Sequence, residues 1–97
     1  MGKAYWINTF RSVGDADRLA RYIELAGPAM RAGGGRFLAR GTPDAAFESG
    51  VLERTVVIEF DSVEQAVAAY ESSGYQEALR ALGDSAERDL RIIQALT

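Results

Sequence analysis

The sequence predicts an α+β fold of the ferredoxin-like kind, and three observations lead there. Four strand-like and two helix-like segments alternate as β-α-β-β-α-β, the order in which four strands make one antiparallel sheet. With 97 residues the chain has enough material for one core, so residues 1–97 form a single domain. Large apolar residues occupy both faces of the predicted sheet, and the helices of this plan cover one face.

The first strand is Lys3 to Arg11, where aromatic, β-branched and small polar residues alternate. "SVGDAD" breaks that pattern. Asp15 is placed to cap a helix, and Asp15 and Asp17 favour its positive end. Leu19, Tyr22, Ile23, Ala26 and Met30 recur at spacings of three and four, as one stripe of an amphipathic helix does. Pro28 lacks a backbone donor and crowds the preceding turn, so a kink or break is expected at Gly27-Pro28. The glycines at 33–35 end the helix.

"RFLARG", residues 36–41, is a short strand, and "TPDAAFESG" is a loop of turn formers around a small apolar insert. Val51 to Phe60 is the strongest strand signal. Ser62 with Gln65 makes a capping box for a second helix, with Val63, Ala66, Val67 and Tyr70 as its stripe. "SSG" breaks this helix in two. Ser73 with Gln76 repeats the capping pattern, and Tyr75, Ala78, Leu79 and Leu82 face one way until Gly83. Arg88 to Ala95 is the last strand.

Strand alternation separates the faces. Val56, Ile58 and Phe60 oppose Thr55, Val57 and Glu59; Phe37 and Ala39 oppose Arg36, Leu38 and Arg40; Tyr5, Ile7 and Thr9 oppose Ala4, Trp6, Asn8 and Phe10. A sheet apolar on both sides buries its second face against a second copy, so a homodimer with a shared barrel-like core is expected.

The composition excludes several chemistries. The chain has no Cys and no His, which removes disulfides, thiolates and the usual general base and metal or haem ligand. No metal and no cofactor is expected. At a net charge of −3 there is no general attraction to nucleic acid. No run of about 18 apolar residues spans a membrane, and the alternation of "MGKAYWINTF" is unlike a signal peptide. Cytoplasmic residence is the expectation.

Glu59, an acid within "VVIEF", is the candidate catalytic residue. Covered by a partner, its pKa would rise and it would serve as a base. If residue 38 lies opposite 57, however, Arg36 lies opposite Glu59 and the two form a cross-strand ion pair. Trp6, Tyr22, Tyr70 and Tyr75 are candidate ligand-binding residues, lining a pocket between sheet and helices; the alternative is that they complete the core with hydroxyls at its edge. Arg40, Arg88 or Arg91 could hold an anion bidentately, or be solvated or paired between protomers. The three glycines follow a helix rather than lead into one, so they present no phosphate-binding helix terminus.

"KAYWI", "RYIELAGPAMRAGGGRFLARG", "RTVVIEFDSVEQAVAAYESSGYQEALR" and "ERDLRIIQA" together resemble the domain-of-unknown-function family numbered 1330, over nearly the whole chain. The resemblance implies a ferredoxin-like dimeric α/β barrel and no particular reaction. Asp61 departs from it, standing where a proline is more usual. The wider dimeric α/β-barrel group includes cofactor-free monooxygenases and lactone isomerases, an analogy at the level of fold. Three readings follow: a small dimeric domain binding a small organic ligand between sheet and helices, a cofactor-independent monooxygenase or isomerase, and a non-catalytic interaction module. An RNA-recognition version of the last would need aromatics within a basic surface, which this acidic chain does not offer.

Overall fold

Alternating β-branched and aromatic residues suit a pleated sheet with one buried face. In a computed structural model of the chain, which describes residues 2–96, they form strands β1 (Ala4–Val13), β2 (Arg36–Gly41), β3 (Thr55–Phe60) and β4 (Ala86–Gln94). The strands make one antiparallel sheet in the order β2-β3-β1-β4. Helices α1 (Ala16–Ala32), α2 (Val63–Glu71) and α3 (Ser73–Leu82) cover one face. The fold is the predicted ferredoxin-like α+β plan with its second helix in two pieces. Among the described residues no helix is long and apolar enough to cross a membrane.

The central strand fixes the core. On β1, Ala4, Trp6, Asn8 and Phe10 point toward the helices and are buried. Trp6 stands between Ile58 of β3 and Ile92 of β4. α1 brings Tyr22, Ala26 and Met30 onto this layer, and α3 brings Tyr75, Ala78 and Leu82. Gly35 lies so close to the sheet that an added Cβ would sit 2.8 Å from Ile58 and 2.9 Å from Phe60. The glycine run lets the chain leave α1 and enter β2 directly against the core.

Four sequence expectations need correction. Of the kink or break expected at Gly27-Pro28, the break does not occur: α1 runs through Pro28, because the buried Ala26 and Met30 on either side hold the helix to the sheet despite the lost donor. The strand expected from Val51 begins at Thr55, leaving a long connection after Gly41. The α3 cap is Ser72 rather than Ser73: its Oγ accepts from the Tyr75 N–H at 3.3 Å and donates to the Ala69 carbonyl at 2.7 Å. One serine thus closes α2 and opens α3. The fourth correction is a bulge in β2. Arg36 pairs with Glu59 and Phe37 with Ile58, but Val57 pairs with Ala39, leaving Leu38 as the extra residue. A one-residue insertion reverses the facing of everything beyond it. Arg40, expected beside Arg36, therefore pairs with Val56 and turns toward α1.

The other caps fall where the sequence places them. Asp15 accepts from the N–H groups of Asp17 and Arg18. Ser62 accepts from the Gln65 N–H at 3.0 Å, and the Gln65 side chain accepts from the Asp61 N–H at 2.8 Å. The second face of the sheet carries half-buried Tyr5, Ile7 and Val57 with exposed Ile93, and among the described residues no helix or strand lies over it.

Candidate functional site

Alternation along β1 sends one polar side chain, Asn8, to the buried side between Trp6 and Phe10. Asn8 is 2% exposed, and its Oδ1 accepts no hydrogen bond among the described residues. A buried amide oxygen without a donor costs about 1–3 kcal/mol, so its position needs a reason. Asn8 forms part of the wall of a cleft between α1 and the sheet. Trp6, Tyr22, Met30 and Phe37 give the cleft its apolar sides, and Arg40 and Arg54 stand at its β2–β3 end. The cavity measures about 30 Å³, room for a water or two; anything larger extends into the open mouth.

The two arginines share one end of the cleft. The Arg40 guanidinium stacks 4.7 Å from the centre of the Phe37 ring. Burial pushes the Arg54 pKa down, and the charge of Arg40 pushes it further the same way. Neither arginine lies within ion-pair distance of a carboxylate among the described residues, where the ion pairs involve Lys3, Arg21, Arg36 and Arg91.

Behind this wall the aromatic side chains form a second group. Trp6 meets Tyr75 edge-on at 5.2 Å, and Tyr70 lies 5.9 Å from Trp6 and 5.3 Å from Tyr75. The Tyr22 and Tyr75 hydroxyls share a hydrogen bond of 2.6 Å, and Arg88 Nη1 donates to both, at 3.0 Å and 2.9 Å. Burial pushes the Tyr75 phenol far above its ordinary range. For Arg88, burial lowers the pKa while the two phenol oxygens raise it by more, so the guanidinium stays charged.

Of the predicted ligand-binding residues, Trp6, Tyr22 and Arg40 line the cleft; Tyr70 and Tyr75 stand behind Trp6 and do not. Glu59 is on the opposite face of the sheet. It accepts from Arg36 Nε at 3.0 Å and Lys3 Nζ at 3.4 Å, and Arg36 also reaches Asp61 at 3.0 Å. The hydrogen bond from Arg36 holds the Glu59 carboxyl below the usual carboxylate range. In the single chain two cations thus favour the ionised form, whereas the raised pKa expected of a base belongs to a face covered by a partner. Sequence reasoning missed Asn8 and Arg54 as site residues. The signal for Asn8 was its alternation with Trp6 and Phe10; Arg54 stands just outside a strand and gave none. Among the described residues no group of three or more acidic side chains is placed to hold a metal ion.

Comparison with known proteins places the architecture. The model of the family "Domain of unknown function (DUF1330)" matches residues 3–96. No curated protein matches the chain. Among solved structures, a protein of unknown function from Rhodopseudomonas palustris is similar over 99% of this chain and 84% of its own, at 19% identity and a TM-score of 0.73. A dimeric ferredoxin-like protein of unknown function from Thermobifida fusca is similar over 98% and 93%, at 20% identity and a TM-score of 0.69. SnoaB, a cofactor-independent oxygenase from Streptomyces nogalater, is similar over 100% and 96%, at 13% identity and a TM-score of 0.67.

Proposed function

The chain belongs to the DUF1330 family, and from that premise we propose that it binds a small organic ligand in the cleft between α1 and the sheet, as one half of a homodimer. The observation that carries the reading is a buried amide, Asn8, in the cleft wall with its Oδ1 unpartnered among the described residues. The other buried residues among those described are hydrophobic, so an amide kept there at a cost in stability is best explained by a ligand that meets it. Trp6 and Tyr22 supply flat walls, and Tyr75 with Arg88 fixes the Tyr22 ring through its hydroxyl. Tyr70 and Tyr75 support the pocket by buttressing Trp6 from behind. The homodimer rests on the uncovered apolar sheet face and on the dimeric relative from Thermobifida fusca. We assign Glu59 to an ion cluster with Arg36 and Lys3 on that face, in place of proton transfer.

Replacing Asn8 with leucine tests the reading, because Leu has a similar shape and no polar atoms. The variant is expected to unfold at a higher temperature than the parent, by about 1–3 kcal/mol of added stability, and to lose ligand-induced changes in Trp6 fluorescence. A less stable variant would show that Asn8 serves the fold, and the proposal would fail.

A second reading, a cofactor-independent monooxygenase or isomerase, is favoured by the similarity to SnoaB along the whole chain. The substrate would then supply the electrons for oxygen, and the protein its shape and hydrogen bonds. Oxygen uptake with hydroquinones and no added cofactor, abolished by Asn8→Leu, is its expected signature; no uptake above the buffer rate refutes it for that substrate class.

A further inference from the structure

The two guanidiniums at the mouth and the amide at the wall specify a ligand more closely than shape does. We infer that the cleft takes a small, flat hydroxylated carboxylate, with Arg40 and Arg54 on the carboxylate and the Asn8 amide hydrogen-bonded to the hydroxyl. The inference rests on the reading of the cleft as a ligand site and names the class of ligand.

The chain carries a net charge of −3, yet its cleft gathers cations: Arg40 and Arg54 line it, and Arg88 donates to Tyr22 in its wall. None of the three forms an ion pair with a carboxylate among the described residues. Asp44 lines a surface groove with Arg40 and still makes no ion pair with it. Two like charges at one end of a partly buried cleft repel, and an anion between them removes that cost. The guanidinium fork matches a carboxylate in plane and spacing, so a planar acid uses it best.

Asn8 sets the other end. A carboxamide both donates and accepts, and a hydroxyl is the small group that can meet either of its ends. The cavity of about 30 Å³ beside it has room for a hydroxyl and little more. Between the two ends, Trp6, Tyr22 and Phe37 make a flat apolar passage that suits a ring or a conjugated enol. A neutral phenol would leave the arginines unmet, and a simple fatty acid would leave Asn8 unmet.

The test titrates 4-hydroxybenzoate, its uncharged analogue 4-hydroxybenzamide, and hydroxyl-free benzoate, following emission from Trp6, the single tryptophan of the chain. The expected order places 4-hydroxybenzoate about tenfold tighter than either analogue, the scale of one charge-assisted hydrogen bond. Arg54→Gln should bring it down to about the affinity of the amide. Arg40→Gln, at an exposed strand position, provides the same comparison if Arg54→Gln does not fold. If hydroxybenzamide binds as tightly as hydroxybenzoate and both perturb Trp6, the cleft remains a ligand site and the carboxylate inference is overturned. If benzoate matches hydroxybenzoate, the role given to Asn8 falls. If none of the three perturbs Trp6 at millimolar concentration, the ligand-site reading itself fails.

Discussion

Replacing Arg88 with methionine removes a cation that holds two buried phenols together. The guanidinium donates to Tyr22 at 3.0 Å and Tyr75 at 2.9 Å, and lies 5.3 Å from the Tyr22 ring centre and 5.7 Å from that of Phe10. Two hydrogen bonds involving a charge are worth about 1.5–3 kcal/mol each, and the ring contacts add about 1 kcal/mol. Releasing a partly buried cation to water returns several kcal/mol. The difference is a destabilisation of about 2 kcal/mol, or about 8–16 °C in Tm for a domain of this size. Tyr75→Phe alone should cost less, because Tyr22 keeps its bond to Arg88. The assay is urea unfolding followed by far-UV circular dichroism, at one protein concentration because a dimer's stability depends on it. Arg88→Met, Tyr75→Phe and the double variant close a cycle whose coupling should reach about 1 kcal/mol. A coupling within about 0.3 kcal/mol of zero would show that the phenols and the guanidinium act independently, and the account of this network would be refuted.

Three further outcomes are expected. Ser72→Ala should cost about 1 kcal/mol, while Ser73→Ala stays within about 0.5 kcal/mol of the parent, since Ser72 makes both capping contacts; equal losses in thermal unfolding would refute the assignment. Because Arg36 lowers the Glu59 pKa from its ordinary 4.5, the ionised carboxylate adds stability above that pH and loses it as the pH falls through the folded value. Glu59→Gln should therefore flatten the acid limb of the urea midpoint against pH, and an unchanged limb counts against the ion cluster. Ile93→Asp, on the uncovered sheet face, should give a monomer in light scattering, and a parent that is itself monomeric would remove the dimer from the proposal.

Much of the fold was legible in residue order. Alternation in "VVIEF", the helical stripe from Leu19 to Met30, and the caps at Asp15 and Ser62 depend on neighbours within a turn or a strand, so a local reading finds them. The broken second helix was legible too, although its cap moved by one residue because two adjacent serines offer the same chemistry. Pro28 went the other way: its local preference against helix is overridden by packing of Ala26 and Met30, which no local window contains.

The candidate site was legible only in part. Trp6, Tyr22 and Arg40 were identified as types that suit a pocket, and they meet in one cleft. Which face Arg40 occupies depends on a bulge at Leu38, and a bulge is set by how β2 pairs with β3. Glu59 could be a base or an ion partner on sequence grounds; the pairing of residue 36 with residue 59 brings a cation to it.

The sequence alone determined the order of elements, the single core and the apolar character of both sheet faces, because these follow from composition and short-range periodicity. Tertiary structure decided what meets across long separations. It left Asn8 Oδ1 without a donor among the described residues, set Arg40 near Arg54, and joined Tyr22, Tyr75 and Arg88 from three elements. Such contacts depend on register and on the angle at which helices cross the sheet, and neither is encoded in any one stretch of the chain.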